Sequence, residues 1–206
     1  MSAPRVWAGV DVGGRRKGFH AAVVDARRVV RAVEPLATPA RAAAWLGSWM
    51  PRLVAIDSPC ALARPGQTMR DCERRFLAVR ICGIRGTPNP DTLARHRGRP
   101  AATYYEWIEH GLELYQALRD ARIATIECFP TASWTRWGGP RGHRRRAEWS
   151  RRILDALRLQ GVPGDLGQDG RDAVAAALTA WAHHHRQTDS YGAIVVPRGP
   201  AGEAEP

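Results

Sequence analysis

Two short apolar runs end in aspartate: Val6-Trp7-Ala8-Gly9-Val10-Asp11, followed by Val12-Gly13-Gly14, and Leu53-Val54-Ala55-Ile56-Asp57, followed by Ser58-Pro59. Runs of this length, rich in β-branched residues and closed by glycine or proline, have the pattern of strands buried on both faces. A strand that ends on a carboxylate delivers charge to the crevice at the carboxyl edge of an open α/β sheet. If the two strands are parallel neighbours, Asp11 and Asp57 emerge side by side. A third run, Ile123-Ala124-Thr125-Ile126-Glu127, repeats the arrangement with glutamate, and Gln168-Asp169-Gly170-Arg171-Asp172-Ala173 opens an alanine-rich helix with two acids three residues apart.

The pattern around these segments predicts strands over 5–12, 18–25 and 28–34, a helix over 39–50 capped by Thr38 or the preceding turn, and a strand over 53–57. This is an antiparallel meander passing into a parallel crossover. Pro59, Pro65, Pro88, Pro90 and Pro100 punctuate the arginine-rich stretch that follows, which reads as an insertion with one short helix around Met69 to Val79. An amphipathic helix is expected over 103–120, a strand over 122–127, a loop carrying Trp134 and Trp137, and a basic helix over 144–159. The Asp169 helix runs to about His185 and a last strand spans Ala193 to Val196. The expected architecture is α/β: a mixed five-stranded sheet, three antiparallel strands plus parallel ones, flanked by helices. One domain is expected over 1–196, with 58–121 as an insertion and helix within it, and 197–206 as a disordered tail.

The formal charge of +11, from 31 basic and 20 acidic residues, favours a phosphate-rich partner. That argument is discounted by composition, because Lys17 is the single lysine and the excess of Ala, Arg, Gly and Pro is what a GC-rich genome produces. Cys60, Cys72, Cys82 and Cys128 are far apart with no Cys-x-x-Cys pair, so neither a zinc knuckle nor a disulfide framework is signalled and buried free thiols are expected. No apolar run approaches the length of a membrane span and no signal peptide opens the chain, so a cytoplasmic protein is expected.

Acids brought to element ends in a basic chain are the composition of a metal site facing a polyanion. Two divalent cations about 4 Å apart activate water and stabilise the leaving oxygen in phosphodiester cleavage, and they need carboxylates from several elements. Asp11, Asp57, Glu127 and Asp172 are the candidate catalytic acids, and Asp11, Asp57, Asp169 and Asp172 the candidate ligands of Mg²⁺ or Mn²⁺. Lys17, Arg70, Arg74 and Arg75 are the candidate contacts to substrate phosphate.

The blocks Gly9-Val10-Asp11-Val12-Gly13-Gly14 with Lys17-Gly18-Phe19-His20, Ala55-Ile56-Asp57-Ser58-Pro59, Arg70-Asp71-Cys72-Glu73-Arg74, Glu127-Cys128-Phe129-Pro130-Thr131 and Asp169-Gly170-Arg171-Asp172-Ala173-Val174 resemble the domain-of-unknown-function 429 family of predicted ribonuclease-H-like nucleases. The resemblance runs over about residues 5–196. The last helix also resembles the Holliday-junction resolvase branch of the ribonuclease H superfamily, where acids three apart precede an alanine. The likeness implies that Asp11 and Asp172 are the first-strand and last-helix metal ligands and Asp57 the acid ending the fourth strand. The likeness implies a nuclease, and resolvase-like enzymes commonly act as homodimers; because its backbone contacts would be mostly electrostatic, such a nuclease is expected to select nucleic acid by structure rather than sequence. The helix over 39–50 lacks the acid that ribonucleases H proper place on a helix, so either Glu127 or Asp169 completes the set or metal binding is weak.

Each motif has a structural alternative. Asp11 before glycines can be a turn former, and Asp169 with Asp172 an N-cap and its capping box. Glu127 can be an ion-pair partner of an arginine. Gly13-Gly14 before Arg15, Arg16 and Lys17 fits a hairpin better than a phosphate loop. Arg141 to Arg146 beside Trp134 and Trp137 suits nucleic-acid contact with base stacking, although tryptophans at such positions also serve as core. Three function classes remain: a metal-dependent phosphodiester hydrolase, a non-catalytic nucleic-acid or nucleotide-binding module of the same fold, and a phosphotransferase of the sugar kinase and actin class.

Overall fold

Valine-rich runs closed by glycine or proline form strands here as their pattern requires. In the computed structural model, which describes residues 5–96 and 102–199, β1 (Val6–Val12), β2 (Phe19–Asp25) and β3 (Val30–Leu36) make the antiparallel meander. Helix α1 (Pro39–Trp49), capped by Thr38 Oγ1 on the Arg41 amide, leads into β4 (Val54–Asp57). The stretch after β4 holds α2 (Asp71–Ala78) and α3 (Pro90–His96) before the long α4 (Ala102–Asp120). Then come β5 (Thr125–Cys128), α5 (Pro130–Gly138), α6 (Arg146–Ala156), α7 (Gln168–His184), β6 (Thr188–Tyr191) and β7 (Ile194–Pro197). The sheet order is β3-β2-β1-β4-β5-β7-β6, with β1, β4, β5 and β7 parallel.

Strand alternation divides the core into two layers. Val6, Ala8, Val10 and Val12 of β1, with Val54 and Ile56 of β4, pack toward α1 and α4. Trp7 and Ala55 face the opposite way, against α7. Ala173, Ala176, Ala177 and Ala180 are fully buried, and their small side chains let α7 lie with its backbone on β1. At Gly9 the approach is closest: a Cβ there would collide with the backbone of Ala173 and Ala177. Gly9→Ala is therefore expected to cost about 2–3 kcal/mol through forced separation of strand and helix, read as a drop in the denaturation midpoint.

The sheet has seven strands, not five: the expected strand over Ala193 to Val196 joins it as β7, and β6 is added beyond it. β6 was not predicted because Thr188-Asp189-Ser190-Tyr191 carries no apolar alternation; it is an edge strand paired to β7 through a turn at Gly192, φ 74°. The expected loop at Trp134 and Trp137 is helix α5, started by Pro130 in its first turn. Trp134 is fully buried there, which removes it as a base-stacking platform. The third strand begins two residues later than expected because Arg28 takes a left-handed φ of 62° in the turn. The glycine turn after β1 is a hairpin, with Gly18 at φ 71° and its amide bonded to Gly14. The cysteines are free, but only Cys128 is buried and Cys60 is exposed. Residues 197–199 are described, with Arg198 bonded to Asp189; the rest of the expected tail, 200–206, lies outside the described residues. Among the described residues no helix is long and apolar enough to cross a membrane.

Candidate metal centre and adjoining cleft

Asp11 lies directly opposite Asp57 in the parallel β1–β4 register, across a strand spacing of about 4.8 Å. Both sit on the odd-numbered side of their strands, the side that α7 covers. Across the β1–β2 hairpin Asp11 also lies opposite His20. Helix α7 starts over this edge and contributes Asp169 from its first turn. Its N-cap is Gly167 with no side-chain cap bond, so neither Asp169 nor Asp172 is consumed as a cap. Ligand atoms of Asp11, His20 and Asp169 all fall within 4.8 Å of one another. Lys17 Nζ donates to Asp169 at 2.8 Å, and His20 Nδ1 stands 3.9 Å from the same carboxylate.

Gathering acids under a helix strains their ionisation. Burial, then the carboxylates of Asp172 and Asp169, pushes the Asp11 carboxyl up to about 8, with Lys17 and Arg146 pulling the other way. Burial, then Asp11 and Asp172, holds Asp57 well above the ordinary carboxylate range. Among the described residues the carboxyl oxygens of Asp11 and Asp57 receive no hydrogen bond from a side chain or an amide, although both main chains are paired in the sheet. Two desolvated carboxyls without donors are the complement of a positive charge.

Asp172 is different. It is 2% exposed, and both oxygens are taken: Trp134 Nε1 donates to Oδ1 at 2.7 Å, while Arg146 Nη2 and Gln168 Nε2 each donate to Oδ2 at 2.9 Å. Arg146 also donates to Thr131 Oγ1 at 2.9 Å. Asp172 thus fixes a guanidinium at the acidic edge instead of leaving open oxygens beside Asp11.

Glu127 is the one strand-end acid on the other face, because its register partner is Ile56 and not Asp57. It accepts two bonds from Arg70, at 2.8 and 2.5 Å, and the Cys60 amide at 2.9 Å. Arg70 also binds Glu73, whose carboxylate takes the Arg70 and Thr87 amides and the Thr87 hydroxyl. Arg70 is therefore a buried clasp between the insertion and β5. Of the other basic residues, Arg74 is exposed and paired with Asp71 at 2.7 Å, Arg75 is exposed on α2, and Lys17 alone stands at the acid cluster.

The residue missing from the sequence reading is His20. Its signal was the hairpin: β1 ends at Val12 and β2 starts at Phe19, so a symmetric pairing puts residues 11 and 20 opposite each other.

The sequence profile of a family described as "Protein of unknown function (DUF429)" matches residues 9–197. The chain belongs to the DUF429 family. The match spans both strand-end aspartates, the clasp and the acids of α7. No curated protein matches the sequence. Among solved structures the fold is similar to that of RuvC from Thermus thermophilus, with a TM-score of 0.47 and 16% identity over 88% of this chain and 96% of that one. The DUF429 chain has a mixed α/β sheet of seven strands, with β7 and β6 lying beyond β5 at one edge.

Proposed function

We propose that the protein is a divalent-cation-dependent phosphodiester hydrolase, a nuclease that selects nucleic acid by structure. The observation that carries this reading is the convergence of Asp11, Asp57, His20 and Asp169 from three strands and a helix at one sheet edge.

The donor chemistry fits a hard or borderline cation: carboxylate oxygens with one imidazole suit Mg²⁺, and Mn²⁺ better because it accepts nitrogen more readily. Asp11, Asp169 and His20 would hold it, with Asp57 alongside. A cation bound there supplies Lewis acidity toward a phosphodiester oxygen and the attacking water. The chain's own contribution is placement of charge. Arg146, held by Asp172 and Thr131, presents a guanidinium to the phosphate, and Lys17 an ammonium from the hairpin. Arg144, Arg145, Arg151 and Arg152 are exposed on and before α6 and continue the positive surface, where contacts to a phosphate backbone carry no base information. Binding should therefore lose affinity with salt at a log–log slope of about −0.9 per phosphate contacted on a duplex.

The saturation of Asp172 by Trp134, Arg146 and Gln168 favours a second reading, a module that binds nucleic acid without cutting it. One experiment separates the two. Labelled single strands, duplexes, hybrids and branched substrates are incubated with the protein and with Asp57→Asn, in Mg²⁺ and in Mn²⁺. Cleavage by the parent protein that falls at least about 100-fold in Asp57→Asn, with folding retained, supports the hydrolase. Salt-sensitive binding with no cleavage in either cation identifies the module.

A further inference from the structure

A cavity of about 790 Å³ opens beside the acid cluster, with Asp57 in its wall. Its volume lies within the roughly 300–1,000 Å³ of small-molecule sites. The insertion contributes Ile81, Gly83 and Ile84 to its lining, α4 contributes Tyr105, Trp107 and Ile108, and α6 contributes the buried Trp149. Arg85, stacked 5.5 Å over the Tyr104 ring and bonded to its hydroxyl, lines it together with Arg141 and Arg146. Aromatic and aliphatic walls, arginines among them and Asp57 of the acid cluster in the lining match the three parts of a nucleotide: base, phosphate and scissile ester.

We propose that this cavity binds one unstacked nucleoside phosphate unit, with the base between the insertion and α4 and the phosphate toward Arg146. The inference rests on the reading of the acid cluster as the reacting centre and names its substrate: a single-stranded, frayed or extruded nucleotide. A base within a duplex is covered on both faces by its neighbours and cannot present them to protein walls, whereas an unstacked base can. The insertion is what turns an open crevice into such a cavity, and the buried clasp of Arg70 with Glu127 and Glu73 holds it closed. A free mononucleotide and a nucleotide within a strand share this chemistry.

The test uses binding, so that it survives loss of cleavage. The full-length Asp11→Asn protein is titrated into an eight-nucleotide single strand carrying one 2-aminopurine, into the same sequence as a blunt duplex, and into dAMP as competitor, with fluorescence and anisotropy as readouts. Single strand is expected to bind at least tenfold tighter than duplex, with a change in 2-aminopurine emission that reports its unstacking. Gly83→Trp fills the cavity, and a Cβ at Gly83 meets nothing within 4 Å, so the fold should accept it; single-strand affinity is expected to fall at least tenfold. Trp107→Ala removes a wall and should cost about tenfold. Displacement of the strand by dAMP near equal concentration assigns a free nucleotide as ligand; no displacement assigns a strand. Equal binding of duplex and single strand, or unchanged single-strand binding by both Gly83→Trp and Trp107→Ala, overturns the proposal. Either failure leaves the cleavage panel to judge the hydrolase separately.

Discussion

Asp11→Asn is expected to reduce metal-dependent cleavage by about 10³-fold or more while making the cation-free protein more stable at pH 8. The two effects share one cause. Asp11 ends β1 opposite both Asp57 and His20, and its carboxyl is pushed up to about 8 by burial and the neighbouring acids. An unfolded chain releases that proton near pH 4. Between pH 4 and pH 8 the folded state therefore binds the extra proton, so stability contributed at this position is greatest at the acid end and declines as pH rises. Asparagine carries no charge at any pH and removes the decline. At about 1.4 kcal/mol per pKa unit the gain at pH 8 is on the order of several kcal/mol, roughly 10 °C or more in midpoint, and it shrinks toward pH 5. Thermal unfolding of both proteins at pH 5 and 8, without divalent cation and then with Mn²⁺, checks this. Mn²⁺ should raise the parent midpoint more than that of the variant. A variant less stable than the parent at pH 8 would show that Asp11 is a structural acid.

Arg70→Ala is expected to destabilise the fold by about 3–5 kcal/mol. The arginine joins Glu127 at the end of β5 to Glu73 in α2, and the side chains of all three are at most 8% exposed. Removing the guanidinium leaves two carboxylates facing each other without water, the costly half of a broken buried pair. At about 2–4 °C per kcal/mol the midpoint should fall by roughly 10 °C. Combining Arg70→Met with Glu73→Gln and Glu127→Gln should recover much of the loss, because it removes the stranded charges. The insertion should also become sensitive to protease between β4 and α3 in Arg70→Ala and not in the triple variant.

Strand-end acids were legible because their information is local. A valine-rich run that stops at Asp-x-Gly or Asp-Ser-Pro states its own end, and two such strands in parallel align their last residues. Asp169 and Asp172 were legible as a pair on one helix face, but not in their separate fates. Which of them accepts Trp134, Arg146 and Gln168 depends on α5 and α6, and no local pattern encodes that contact. Glu127 looked like a third rim acid, yet period-two alternation sends it to the α4 side once its register with Ile56 is known. Arg70 resembled its neighbours Arg74 and Arg75; burial of one and exposure of the others is decided by where α2 docks. β6 was invisible because an edge strand of Thr, Asp, Ser and Tyr is held by main-chain bonds rather than apolar burial.

Residues 11 and 169 are more than 150 positions apart in sequence, yet their separation in space is governed by one missing methyl group. With no side chain at position 9, the last helix rests on the first strand like a ruler against a straight edge, and its opening turn is indexed to the strand's tip. Variation in the arginines and in the loop roof can then retune what enters, while the spacing of the acids stays machined into the contact beneath them.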